Sequence, residues 1–293
     1  MAASPVSSRA EISRVLCATD FSPCANLAVA QALTLAGSSK AKLWLLHVLA
    51  PVSAPVSTDI GFLCPEADRR WAQENFQELE NSGEFRPIDH SVIIRRGSLA
   101  SVVSDLVHAE DIDLVILGTH GRGGLRKVLM GSSAEQVCRS VSSPVLTIGP
   151  HAFVRSESRH ILYATNFRTG SLQAADYAIL LGEQAHGKIT MLHVIDDSDG
   201  SASCARDRTP QGAFHRVKSL FPPESRLQAY HQVLVKFGSP VQTILKVAEE
   251  EHSDLIVMGV RTTRAPAVAA HLPDTVESRV AAHASCPVLT VRG

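Results

Sequence analysis

Apolar residues along the chain fall into two alternating kinds of segment. Val15–Thr19, Lys42–Val48, Ser91–Arg95, Asp113–Leu117 and Pro144–Ile148 are short runs rich in Val, Leu and Ile, of the length expected for buried strands. Between them the apolar positions recur at helical spacing. Ala25, Ala28, Val29, Ala32, Leu33 and Leu35 form one such stripe, and Ser22 followed by Pro23 marks its start as N-cap and first helical residue. Further helices are expected over Asp68–Asn81, from Gly97-Ser98 to about Glu110, and over Ser132–Val141. Ala50–Pro65, rich in Pro and Ser, reads as a loop. Strand alternating with helix predicts parallel βαβ units and an open sheet covered on both faces.

The pattern then starts again. Leu16-Cys17-Ala18-Thr19 returns as Leu162-Tyr163-Ala164-Thr165, and Leu46-His47-Val48 as Leu192-His193-Val194. Asp113-Leu114-Val115-Ile116-Leu117-Gly118 returns as Asp254-Leu255-Ile256-Val257-Met258-Gly259, and Pro144-Val145-Leu146-Thr147 as Pro287-Val288-Leu289-Thr290. The offset drifts from 146 (Leu16 to Leu162) to 141 (Asp113 to Asp254) to 143 (Pro144 to Pro287). A repeat of whole-domain length predicts two domains of one fold, 1–150 and 151–293, joined by a linker over Gly149–Ser158. Asp196–Gln211, polar and made of small residues, reads as a loop of the second copy.

Composition narrows the function classes. With 293 residues, 45% hydrophobic and 19% charged, and a formal charge of −1, the chain reads as soluble and globular and offers no polybasic surface for nucleic acid. No apolar stretch approaches the ~20 residues that span a bilayer. Met1-Ala2-Ala3-Ser4-Pro5 has neither a basic nor an apolar signal region, so a cytoplasmic location is the expectation. Cys17, Cys24, Cys64, Cys138, Cys204 and Cys286 form no CxxC pair, and no HxxxH spacing occurs among the histidines, which argues against a disulfide framework or a structural metal.

In open parallel sheets, ligands bind beyond the carboxyl ends of the strands, where the strand order reverses. Asp20 directly follows the first strand. Gly118-Thr119-His120-Gly121 follows the fourth, and after nine residues comes Gly131-Ser132-Ser133 at a helix start. Glycines let the backbone approach an anion, and a helix N-terminus offers free N–H groups and the positive end of a dipole. Each feature alone has an ordinary structural reading, a turn glycine or a serine cap. Their convergence on one edge suggests an enclosure for a di- or triphosphate. The chain has no GxxxxGK[ST] and no GxGxxG after its first strand, so neither a P-loop nor a dinucleotide-binding domain is expected.

Gly118-x2-Gly121-x9-Gly131-Ser132 resembles the G-2x-G-9x-G-[S/T] nucleotide motif of the universal stress protein family. Ala18-Thr19-Asp20-Phe21-Ser22, the Leu46-His47-Val48 strand end and the final strand Pro144-Val145-Leu146-Thr147 resemble that family too, in both copies and over nearly the whole chain. The resemblance implies an α/β fold of two tandem adenine-nucleotide α-hydrolase-like domains, each with a five-stranded parallel sheet between helices. It also implies ATP, with magnesium as its candidate companion. Carried over by position, Asp20 would lie near base and ribose, and Val48 would meet adenine through its backbone. Leu117 and Gly118 would flank the ribose, and Gly121, Gly131, Ser132 and Ser133 would hold the phosphates. Ser133 stands where valine is common. Final strands commonly pair across domain interfaces in this family, which implies pairing of Pro144–Ile148 with Pro287–Val291 in an intrachain pseudo-dimer; a further homodimer is a candidate assembly.

The second copy departs from the motif. Asn166 replaces Asp20, Gly259 survives, Thr262 stands in place of Gly121, and Asp274 and Thr275 fall opposite Gly131 and Ser132. A carboxylate there repels phosphate, so this copy is expected to be a structural partner. His47 and His193, at matching strand ends, read as hydrogen-bonded structural histidines. Arg122, Arg126 and Lys127 either screen phosphate charge or form a solvated face, and Glu249-Glu250-Glu251 reads as surface charge. The leading expectation is an ATP-binding protein with a regulatory, stress-response role and no catalytic residues. The alternatives are a slow ATPase or nucleotidyl-transfer enzyme, and a scaffold without nucleotide.

Overall fold

The computed structural model describes residues 12–51, 65–83, 85, 87–121, 130–155, 159–196, 209–220, 231–260 and 275–293. Arg122, Arg126, Lys127, Thr262 and Asp274, and most of the two loops expected after Ala50 and Asp196, lie outside the described residues.

The first half runs β1 (Arg14–Ala18), α1 (Pro23–Ser39), β2 (Lys42–Leu49), α2 (Pro65–Asn81), β3 (His90–Arg96), α3 (Leu99–Ala109), β4 (Leu114–Gly118), α4 (Ser132–Ser140) and β5 (Val145–Ile148). The second half repeats it as β6 (His160–Thr165), α5 (Thr169–Gln184), β7 (Lys188–Ile195), α6 (Pro210–Lys218), β8 (His231–Phe237), α7 (Pro240–Glu250), β9 (Leu255–Val260), α8 (Val276–His283) and β10 (Val288–Arg292). The expected loop after Asp196 ends earlier than the polar composition suggested. Thr209 caps α6 by accepting from the Gly212 N–H at 3.2 Å, and Pro210 occupies the first helical position.

All ten strands form one sheet in the order β3-β2-β1-β4-β5-β10-β9-β6-β7-β8. Within each half every pairing is parallel; the β5–β10 junction is antiparallel, with Thr147 opposite Val288, Leu146 opposite Leu289 and Val145 opposite Thr290. The seam is closed reciprocally. The Thr147 hydroxyl donates to the Val288 carbonyl at 3.1 Å, and the Thr290 hydroxyl donates to the Val145 carbonyl at 3.2 Å.

The inner strands are apolar at most positions because both faces are covered, the edge strands β3 and β8 are more polar and only partly buried, and side chains alternate between two cores. Val15, Cys17, Leu43, Leu45, Leu114 and Ile116 face one core, together with Ile161, Tyr163, Leu255 and Val257 of the second half. Leu16, Ala18, Trp44, Leu46, Val115 and Leu117 face the other, with Leu162, Ala164, Ile256 and Met258. Both cores therefore run through the seam without interruption. A two-fold relation perpendicular to the sheet is the operation that reverses strand direction and keeps the faces, so the carboxyl ends of β1 and β4 and those of β6 and β9 open on opposite edges.

Aspartates tie the strand entries in the same way in both halves. Asp113 Oδ2 accepts from the N–H groups of Ser13 and Arg14 at 3.0 and 2.9 Å. Asp254 Oδ2 accepts from those of Arg159 and His160 at 3.1 and 3.0 Å. Among the described residues no helix is long and apolar enough to cross a membrane.

Candidate functional site

In the first half the chain reverses direction across the sheet between β1 and β4, which makes that gap the topological switch point. Beyond β1 the backbone turns sharply. Thr19 Oγ1 accepts from the Phe21 N–H at 3.0 Å, and Asp20 Oδ1 accepts from the Ser22 N–H at 3.0 Å. Phe21 sits between them at φ 60°, a conformation that bulky residues rarely adopt. Its ring is held against His47, Trp71 and Phe76, with centroids 5.2, 5.1 and 5.0 Å away. His47 Nδ1 donates to the Thr19 carbonyl at 2.8 Å, so this histidine fixes the turn, as its strand-end position suggested. Ser22 caps α1 by accepting from the Ala25 N–H at 3.3 Å, and its hydroxyl donates to the His120 carbonyl at 3.2 Å. One serine thus joins the turn after β1 to the turn after β4.

The motif glycines stand in three different environments. A Cβ on Gly118 would lie 2.9 Å from the Ala25 nitrogen and the Cys24 carbonyl carbon, so this glycine lets α1 pack on the end of β4. A Cβ on Gly121 would lie 2.6 Å from Asp20 Oδ2. A Cβ on Gly131 would lie 3.1 Å from the Thr119 carbonyl oxygen, which already accepts the Gly131 N–H at 2.8 Å. That bond brings the two glycine turns to one place. Gly131 is the N-cap of α4, and among the described residues no side-chain cap closes the helix there. The ordinary reading of Ser132 as a cap does not hold: Ser132 is the first helical residue after Gly131, and Ser132 and Ser133 are exposed in the first turn.

Val48 and Leu117 complete the edge. The Leu46 carbonyl accepts the Thr19 N–H at 2.8 Å, while the Leu49 carbonyl accepts the Gly97 N–H at 3.0 Å. Strand alternation therefore aims the Val48 backbone toward the β1 side, one step past the last β1–β2 rung. Leu117 is buried, with Leu16 and Leu46 in its core. Asp20, Val48, Gly118, Gly121, Gly131, Ser132 and Ser133 all lie at the carboxyl edge of β1, β2 and β4. Cys24, which the sequence did not single out, joins them. Burial pushes its thiol above the ordinary range; the His120 backbone opposes this and the Asp20 charge reinforces it.

The second half keeps the turn and packs the matching helix more closely on its strand. Asn166 Oδ1 accepts from the Arg168 N–H at 3.1 Å, Phe167 repeats φ 60°, and His193 Nδ1 donates to the Thr165 carbonyl at 2.8 Å. A Cβ on Gly259 would fall on the Ser171 nitrogen and the Gly170 carbonyl carbon, closer than at Gly118, so α5 packs more tightly on β9 than α1 does on β4. At α8 the Thr275 hydroxyl accepts the Ser278 N–H at 3.3 Å. Glu277 adds a carboxylate in that first turn. Burial raises its pKa, against the pull of its own backbone N–H, the Thr275 hydroxyl, Arg139 and Arg168. The helix end that is left without a side-chain cap in the first half is capped by the chain itself in the second.

The universal stress protein family model matches residues 11–149 and 157–292. A universal stress protein of Mycolicibacterium smegmatis is 25% identical over 291 residues, covering 95% of this chain and 96% of its own. Universal stress protein A homolog 1 of Coxiella burnetii is 28% identical over 142 residues, covering 46% of this chain and 94% of its own, so one half matches nearly that whole protein. The crystal structure of a universal stress protein from Archaeoglobus fulgidus superposes with a TM-score of 0.70 at 20% identity, over 95% of this chain and 98% of that one. The chain belongs to the universal stress protein family, with two family domains in tandem.

Proposed function

We propose that the first half binds one ATP per chain, and that the second half serves as its built-in dimer partner in a regulatory, stress-response role. The observation that carries this reading is the contrast between α4 and α8. Gly131 offers the α4 N-terminus no side-chain cap beside the Gly121 turn, whereas the Thr275 hydroxyl caps α8. A helix N-terminus with N–H groups left open favours phosphate, and a side-chain cap takes up one of those groups.

The residues present fit the group. Gly121 and Gly131 keep space that a Cβ would fill. The N–H groups of Ser132 and Ser133 and their exposed hydroxyls would hold phosphate oxygens, and the Val48 backbone would meet the adenine edge. Leu117 and Gly118 would border the ribose. Magnesium accompanying the phosphates would find the Asp20 carboxylate beside the Gly121 turn. Binding of this kind needs no nucleophile or general base, and it suits a protein whose nucleotide state is read by a partner.

Calorimetric titration of the purified protein with ATP tests the reading, together with identification of any nucleotide released on denaturation. One site per chain is expected. Two equivalent sites would overturn the role given to the second half, and absence of binding would overturn the reading altogether.

A further inference from the structure

Among the described residues, the only non-neighbouring atoms within 4 Å of a Cβ built on Gly121 are the Asp20 Oδ2 and Cγ, at 2.6 and 3.7 Å. The other two motif glycines face main chain, at Cys24 and Ala25 for Gly118 and at Thr119 for Gly131. We propose that Gly121 is a positioning residue that acts through Asp20: its missing side chain is the room in which the Asp20 carboxylate sits. The carboxylate is tethered on its other oxygen, since Oδ1 accepts the Ser22 N–H at 3.0 Å. Ser22 in turn donates its hydroxyl to the His120 carbonyl, next to Gly121, at 3.2 Å. The circuit from Asp20 through Ser22 and His120 to Gly121 is closed, and a methyl at Gly121 has the end of one side chain to displace rather than a backbone. The fold survives such a change, and the orientation of Asp20 does not.

The second half carries the matching substitution. Asn166 replaces Asp20 and Thr262 replaces Gly121, while Gly259, whose counterpart Gly118 packs against a helix, is retained. Gly131 is replaced as well, by Asp274, so the substitution accompanies loss of the whole open edge, and the packing glycine alone is kept.

The first measurement rests on the nucleotide reading; the second is independent of it. Asp20→Ala, Gly121→Ala and the double variant are titrated with ATP. A hydrogen bond to a charged group lost from a binding site weakens affinity about tenfold or more. Gly121→Ala is expected to weaken binding by the same factor as Asp20→Ala, and the double variant is expected to bind no worse than Asp20→Ala alone. Losses that multiply in the double variant would show that Gly121 acts on the phosphates directly and would overturn the proposal. In the free protein, the Ser22 amide resonance reports the bond to Asp20 Oδ1. In Gly121→Ala it should move toward its position in Asp20→Ala, and an unmoved resonance would equally overturn the pair. If wild-type protein fails to bind ATP, the nucleotide reading falls alone and the Ser22 resonance still decides.

Discussion

Alanine at each of the four cleft glycines should separate stability from binding. At Gly118 the added methyl meets the first turn of α1, 2.9 Å from two backbone atoms and 3.0 Å from the Cys24 Cβ. Overpacking against main chain costs about 1–3 kcal/mol, offset by roughly 0.5–1 kcal/mol from the stiffer unfolded chain. A net loss of about 1–2 kcal/mol follows. Gly259→Ala should cost more, because its methyl would fall on the Ser171 nitrogen itself and α5 would have to lift from β9. Gly131 has φ −59°, which any residue adopts, and its methyl would be 3.1 Å from one carbonyl oxygen, so the net change should be within about 0.5 kcal/mol. Gly121→Ala should be equally mild. Equilibrium urea unfolding followed by far-UV circular dichroism gives the four values, and ATP titration gives the affinities. The expected stability loss runs Gly259 above Gly118 above Gly131 and Gly121, with binding weakened about tenfold at Gly121 and retained at Gly259. If Gly118→Ala left stability within about 0.5 kcal/mol and abolished binding, Gly118 would be a ligand residue and the packing argument would be wrong.

Burial pushes the thiols of Cys17, Cys138 and Cys286 up to about 12 from an ordinary 9.0, so the folded state holds protons that the unfolded state releases. Their stabilisation is complete below pH 9 and is lost as pH rises toward 12; from pH 9 to 10 each should lose about 1 kcal/mol, visible as a falling urea midpoint that Cys17→Ser/Cys138→Ser/Cys286→Ser flattens. A midpoint that does not fall with alkali would contradict their burial. Separately, cutting the chain between Arg155 and Arg159 and co-expressing the pieces should give a heterodimer, because β5 and β10 pair and both cores cross the seam. The first piece alone should self-associate through β5, and a monomer at high concentration in light scattering would count against the seam as an association surface.

Much of the fold was legible because continuous apolar runs separated by helical stripes leave few alternatives to a covered parallel sheet. The run Lys42–Val48 became β2 with one added residue, and Ser22-Pro23 is the start of α1. β4 begins one residue later than expected, at Leu114; Asp113 stands at its entry, donating its N–H to the Arg14 carbonyl at 2.9 Å while its side chain ties the start of β1. Its recurrence as Asp254 was visible in the repeat, and a carboxylate kept at both strand entries is the signal that could have revealed the tether. The strained Phe21 and Phe167 were not legible, since no local propensity places phenylalanine at positive φ; the surrounding Thr and Asx turns impose it. The glycines were legible as a set but not as individuals. Spacing alone cannot tell a glycine that faces a helix from one that faces a carboxylate, because that difference arises only when β1, α1 and β4 come together.

Comparison of the two halves assigns the parts of the site by physical role. What supports packing is present in both: Gly118 with Gly259, His47 with His193 and Phe21 with Phe167. The residues that the proposed nucleotide site needs, Gly121 and Gly131, are present in one. The second half cannot dispense with the packing set, because its strands β9 and β10 share both cores with the first half, and a loosened β9 would be felt across the seam at β5. It can dispense with the open helix end, and a capped one is the more stable choice where no anion arrives, since a threonine cap is worth about 1 kcal/mol. At this one helix the first half forgoes a side-chain cap that the second half keeps, although α5 and α7 of the second half also lack one. On the proposed reading, a phosphate at the α4 N-terminus would offset the cap that Gly131 cannot supply and that Thr275 supplies at α8.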